Sequence, residues 1–156
     1  MDLPQRERLP HDIPAWVTDG SPFFITISCV PRGLNQLARP GVGDAVLAAA
    51  AFNHERRIWS CRIMVLMPDH LHAILACGRE PGMKTIMKNW KKFLAVKHGI
   101  EWQRDFFDHR LRDHHAETEK LDYILRNPLR RGLVECVEDW PWVYRPKHCP
   151  PPPPAG

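Results

Sequence analysis

No run of about eighteen apolar residues occurs in the chain, which excludes a transmembrane helix. The first residues, MDLPQRERLPHD, hold no hydrophobic stretch and are not expected to act as a secretory signal. C-x-x-C pairs are missing too. The five cysteines (Cys29, Cys61, Cys77, Cys136 and Cys149) are odd in number and widely spaced, so neither a disulfide framework nor a zinc ribbon fits. Free thiols in a reducing cytoplasm are the expectation. Acidic residues are absent from one segment: residues 83–98 carry five lysines and no Asp or Glu.

What is present describes one soluble domain. The 156 residues are 44% hydrophobic and 26% charged, with a net charge of +4. That excess is concentrated in the lysine-rich segment, so a polyanion is one candidate partner and a solvated helix face the other reading. The sixteen prolines cluster at the two ends, and Pro150 to Pro154 form an unbroken run. Three regions result: an irregular arm at 1–20, a globular domain at 21–145, and an extended, unpacked proline-rich tail at 146–156.

Within the domain, the β-branched and aromatic stretch 23–30 predicts a strand, and apolar residues at helical spacing predict a helix over 41–57. Strands follow at 58–66 and 70–77, joined by the turn Met67-Pro68-Asp69. A basic helix comes next, its buried face drawn from Ile86, Trp90, Phe93, Leu94 and Val96. Residues 106–112 offer a fourth strand and 117–127 a last helix, ended or bent by Pro128. This order predicts an α+β, ferredoxin-like (split βαβ) antiparallel sheet with helices on one face, plus an extra C-terminal helix. The other face stays open in this reading, and a site is expected there.

His70 and His72 are two apart on a strand, so both imidazoles leave the same face and can converge on one ion. Two surface histidines are the plain alternative. Tyr123 and Asn127 are four apart on the last helix and stack on one side. A tyrosine hydroxyl becomes a useful nucleophile only toward a polarised electrophile, and a phosphodiester beside a divalent cation is one. Separately, Tyr123 also reads as a packed ring and Asn127 as a helix-ending residue before proline.

Together with their neighbours these residues match a family. VLMPDHLHAIL resembles the His–hydrophobic–His motif of single-tyrosine HUH nucleases and transposases. LDYILRNPLRRGLV resembles their nucleophile helix, Y-I-x-x-N-P-x-R-x-G, and WQRDFFDHRLR their W-Q-x-x-F-x-x-H segment. EDWPW is similar to their usual ending, and RLPH…PAWVTDGSPFFITISC places the chain nearest the REP-associated tyrosine transposases, an IS200-like branch. The resemblance implies that His70, His72 and Asn127 bind Mg²⁺ or Mn²⁺ and that Tyr123 attacks single-stranded DNA at a hairpin or palindrome. A 5′-phosphotyrosine link and a free 3′-hydroxyl would result.

On that reading Lys84, Lys88, Lys91 and Lys92 form a strip that tracks phosphates, and Arg126, Arg130 and Arg131 clamp the backbone beside the nucleophile. Arg6 and Arg8 in the arm are further DNA contacts, or part of a solvated tail. Trp90 is assigned to the core, with base stacking as the alternative. Asp69 reads as a turn residue that can also orient a histidine. His109 is expected to be structural, while His114 and His115 are placed in a polar turn before the last helix. The expected setting is cytoplasmic, at the nucleoid, as a monomer or homodimer. Two readings from other classes stay open: a catalytically idle DNA-binding module on the same fold, and an RNA-binding sheet, which requires exposed aromatics on its central strands.

Overall fold

The computed structural model describes residues 20–146. Its elements are β1 (Pro22–Ser28), α1 (Val42–Glu55), β2 (Ser60–Leu66), β3 (His70–Ala76), α2 (Met83–His98), β4 (Phe107–Arg110), α3 (His114–Arg130) and β5 (Val143–Tyr144). They build one sheet in the order β4-β1-β3-β2-β5, antiparallel at every junction. The first four strands have the ferredoxin-like arrangement expected, and β5 extends it by pairing with β2. The arm with Arg6 and Arg8 and most of the proline tail lie outside the described residues. No helix among those described is long and apolar enough to cross a membrane.

Alternation along the strands sorts their side chains into two cores. Ile25, Ile27, Met64, Leu66, Leu71, Ala73 and Leu75 face α1 and α2, meeting Val46, Met87, Trp90 and Leu94 in the larger cluster. Phe24, Ile63, Val65 and Ile74 point the other way, onto Ile124 and Leu125 of α3. The second face is therefore not open: α3 covers part of it. Arg62, buried beside a register shift in β2, reaches across at 2.7 Å to Glu117 in the first turn of α3 and fastens that helix to the sheet. The thiols of Cys29 and Cys77 are pushed up to about 12, chiefly by burial, which makes them poor nucleophiles.

The last helix is longer at both ends than its sequence suggests. Asp113 caps it, its carboxylate accepting from the Ala116 N–H at 2.8 Å, so His114 and His115 form the first turn rather than a preceding loop. Pro128 lies inside the helix without ending it. It offers no N–H to the Ile124 carbonyl one turn back, and the Arg130 guanidinium donates at 2.7 Å to the neighbouring Tyr123 carbonyl. The helix closes at Gly132, φ +74°, where Leu133 N–H donates to the Pro128 carbonyl and Gly132 N–H to that of Leu129. That left-handed closing pair explains the glycine at the end of the N-P-x-R-x-G string.

Helix α2 also corrects the expected buried face. Phe93 and Val96 are exposed, while Met83 and Met87 join Ile86, Trp90 and Leu94 inside. Trp90 packs between Trp59 and Trp102, with ring centroids at 5.3 and 6.1 Å, and is a core residue.

Candidate active site

The central strand β3 is paired on both sides, with Thr26 of β1 and Val65 of β2 opposite His72. Leu71 turns into the main core, so His70 and His72 must emerge together on the α3 face. Their ring centroids are 4.8 Å apart, and the two residues are only 5% and 8% exposed.

Each imidazole is held by its Nδ1. His70 Nδ1 lies 2.8 Å from Asp69 Oδ1, and His72 Nδ1 lies 2.9 Å from Thr26 Oγ1. With the ring protons on Nδ1, both Nε2 lone pairs are left for a ligand. Asp69 thus does more than form the turn. It is fixed in turn by Arg32 Nε at 3.0 Å and by the Gly33 N–H at 2.8 Å, in a loop that folds over the hairpin. Gly33 adopts φ +93°, which favours glycine at that point of the loop. Burial alone would raise the Asp69 pKa, but the hydrogen bonds from Arg32, His70 and Gly33 hold it well below the usual carboxylate range.

Both imidazoles are kept neutral. Burial lowers the His72 pKa to about 3, helped by His70, Arg131, Lys120 and Arg130 nearby. Burial also lowers that of His70, against the pull of Asp69. Neutral imidazoles are the form that ligates a cation.

Helix α3 brings the phenol to these rings. Ile124 anchors the helix in the second core, and one step round the helix Tyr123 meets His72 at a centroid distance of 6.4 Å and Phe24 at 6.5 Å. Tyr123 remains 44% exposed. Its ring is flanked by two cations, with Lys120 Nζ at 4.9 Å and Arg130 Cζ at 4.1 Å from the centroid. Asn127, one turn on and 5% exposed, faces the same space, so Pro128 does not spoil the stacking of the pair.

His70, His72, Tyr123 and Asn127 line one cavity of about 470 Å³ with Thr26, Ser28, Arg32, Arg130 and Arg131. Two tethered neutral imidazoles and a buried carboxamide are a donor set that suits a divalent cation also bound by phosphate oxygens. No group of three or more His, Cys, Asp or Glu side chains suited to a metal occurs among the described residues.

Other expected residues fall elsewhere. Arg126 lies outside the cavity and pairs with Asp122 on the exposed side of α3, Nε to both oxygens at 3.1 Å. Lys91 is a correction: it is 9% exposed, and its amine donates to the carbonyls of Gln103 and Arg104 at 2.8 and 3.1 Å, where burial lowers its pKa. It is a bracket for the loop before β4, not part of a phosphate strip. Lys84, Lys88 and Lys92 are exposed, but α2 packs on the sheet face opposite the cavity. His109 stands exposed on β4 across from Phe24. Arg32 and Lys120 lie in no motif, and Thr26 lies in PFFITISC with nothing in that string to mark it as a site residue. Thr26 follows from the parity of β1 once its register with β3 is known, whereas Arg32 and Lys120 depend on the loop fold and the seating of α3.

No protein-family model matches the chain. It is similar to a Haemophilus influenzae protein whose curated name assigns it to the REP-associated tyrosine transposases, with 49% identity over 49% of this chain and 53% of that protein. It is also similar to the REP-associated tyrosine transposase of Escherichia coli K12, with 31% identity over 50% of this chain and 49% of the relative. The chain thus spans about half the length of the curated relatives it matches. Among solved structures, a REP-associated tyrosine transposase bound to a REP hairpin superposes with a TM-score of 0.70 at 24% identity, covering 85% of this chain and 81% of that one. That last likeness is one of fold.

Proposed function

We propose that this relative of the REP-associated tyrosine transposases is a metal-dependent single-stranded DNA endonuclease and strand transferase acting at hairpin or palindromic DNA. The observation that carries the reading is the convergence of Tyr123, His70, His72 and Asn127 on one cavity with arginines at its edge. The partner is suggested by the solved relative, whose structure holds a REP hairpin.

In the proposed reaction the Tyr123 phenol oxygen attacks phosphorus. The Tyr–O–P bond forms as the bond from phosphorus to the 3′ oxygen breaks. The phenol proton passes to water in the half-open cavity, and the departing 3′ oxygen leaves as a hydroxyl. The 5′-phosphotyrosine keeps the energy of the cleaved bond, so a 3′-hydroxyl can reverse the step on the same or another strand without ATP. Lys120 and Arg130 face the phenol ring and favour the negative charge that grows on its oxygen. Arg32 and Arg131 offer guanidinium donors to the flanking phosphates. His70, His72 and Asn127 would hold Mg²⁺ or Mn²⁺, which supplies neutralisation of charge on the scissile phosphate.

The experiment is incubation with Mn²⁺ and a labelled single-stranded hairpin oligonucleotide. A covalent adduct that disappears in Tyr123→Phe supports the reaction. Binding without an adduct points instead to the idle DNA-binding module. An RNA-stacking sheet is disfavoured by the fold, because α3 covers the central strands that such a surface would need.

A further inference from the structure

On the sheet face away from the His70–Tyr123 cavity, α1 and α2 border an apolar cavity of about 880 Å³. Its walls include Phe52, Trp90 and Phe93, with Ile58, Arg57 and Pro81 at one end. Phe52 and Phe93 are each about half exposed, and Ile58 is 39% exposed. Aromatic rings on two helices bordering a groove are costly to leave in water, and the DNA chemistry on the opposite face makes no use of them.

We infer that this groove is the docking site of the chain's own proline run, Pro150 to Pro154. Three observations converge. The first is chemical: consecutive prolines favour the polyproline II form, and such segments are recognised by grooves walled with aromatic rings. The second is direction. β5 runs antiparallel to β2, with Val143 opposite Val65 and Tyr144 opposite Met64, so the chain leaves β5 toward the start of β2 at Ser60. Ile58 and Arg57, which line the end of the groove, lie just before that start in sequence. The third is length. At ~3.1 Å per residue, the three residues between Pro146 and Pro150 reach about 9 Å, and the five prolines then cover about 15 Å. The run is thus delivered around the C-terminal end of α1, where Tyr144 already packs against His54 at 6.3 Å. The prolines have no N–H groups to strand in an apolar groove.

The test uses a fluorescein-labelled peptide of residues 147–156 carrying Cys149→Ser, followed by anisotropy without DNA or metal. The peptide is expected to bind a chain lacking 147–156 and to bind the full chain at least about ten-fold more weakly, because the tethered tail competes at an effective concentration on the order of mM. Phe93→Asp in the shortened chain should abolish peptide binding with circular dichroism unchanged, since Phe93 is exposed and not part of the core. No binding to the shortened chain, equal binding to both chains, or binding that survives Phe93→Asp overturns the inference. It is equally overturned if removing residues 1–19, rather than the tail, opens the groove to the peptide. A full-chain dimer in sedimentation that Phe93→Asp dissociates would make a second copy the occupant instead.

Discussion

Thr26→Val is the most informative single change, because it removes one hydrogen-bond acceptor and almost no volume. Thr26 Oγ1 lies 2.9 Å from His72 Nδ1, in a residue only 8% exposed. After the substitution the ring has two choices. It can keep its proton on Nδ1 without an acceptor, at about 1–3 kcal/mol for a buried unpaired donor. Alternatively it moves the proton to Nε2 and gives up the lone pair that would ligate the cation. Either route weakens metal binding, and losses of partners behind metal-bound histidines run at about 10–100-fold, or roughly 1.4–2.7 kcal/mol. The assay is the Mn²⁺ dependence of hairpin cleavage together with direct calorimetric Mn²⁺ titration. Half-saturation should rise by about 10–100-fold, while cleavage at saturating Mn²⁺ falls by only a few-fold. An unchanged Mn²⁺ midpoint would refute the argument, since it would mean that Thr26 does not set which ring nitrogen carries the proton.

Three further outcomes follow from the contacts described above. Metal-free protein should lose stability as pH falls from 6.5 toward 3, because unfolded His72 takes up a proton near 6.5 while the folded ring resists until about 3. The loss is at most about 1.4 kcal/mol per pH unit from this ring, and the difference in urea midpoints between the protein and His72→Gln over that range measures it; parallel curves would sink the assignment. Lys91→Met should destabilise the fold by about 1–3 kcal/mol in urea, by stranding the carbonyls of Gln103 and Arg104, and leave the salt dependence of DNA binding unchanged; a shallower slope would return Lys91 to the DNA surface. Arg131→Ala, by contrast, should reduce the log–log salt slope of oligonucleotide binding by roughly 0.7–0.9, and an unaltered slope would remove Arg131 from the interface.

The legible parts of this protein were those written as local patterns. Strand parity put His70 and His72 on one face, helical spacing put Tyr123 beside Asn127, and the order of strands and helices predicted the ferredoxin-like sheet. Less visible was anything that depends on two distant segments meeting. The Thr26–His72 contact needs the register of β1 on β3, and the Arg32–Asp69 contact needs the loop that folds over the hairpin. Lys91 was misread for a physical reason. Charge patterning assumes that lysine is solvated, yet a long aliphatic stem let this one bury its amine against two carbonyls. Pro128 signals a helix that ends or bends, because the residue before proline avoids helical dihedrals. Tertiary packing of Ile124 and Asn127 overrode that local preference.

The double pairing of β3 has a consequence for how the two imidazoles keep their orientation. A slip of one residue against either neighbour would turn Leu71 outward and drive both imidazoles into the oily interior, at a cost no folded chain of this size tolerates. The leucines and isoleucines that hold the sheet together therefore also decide which way the reactive rings look. Selection for mere folding therefore also protects the orientation of His70 and His72.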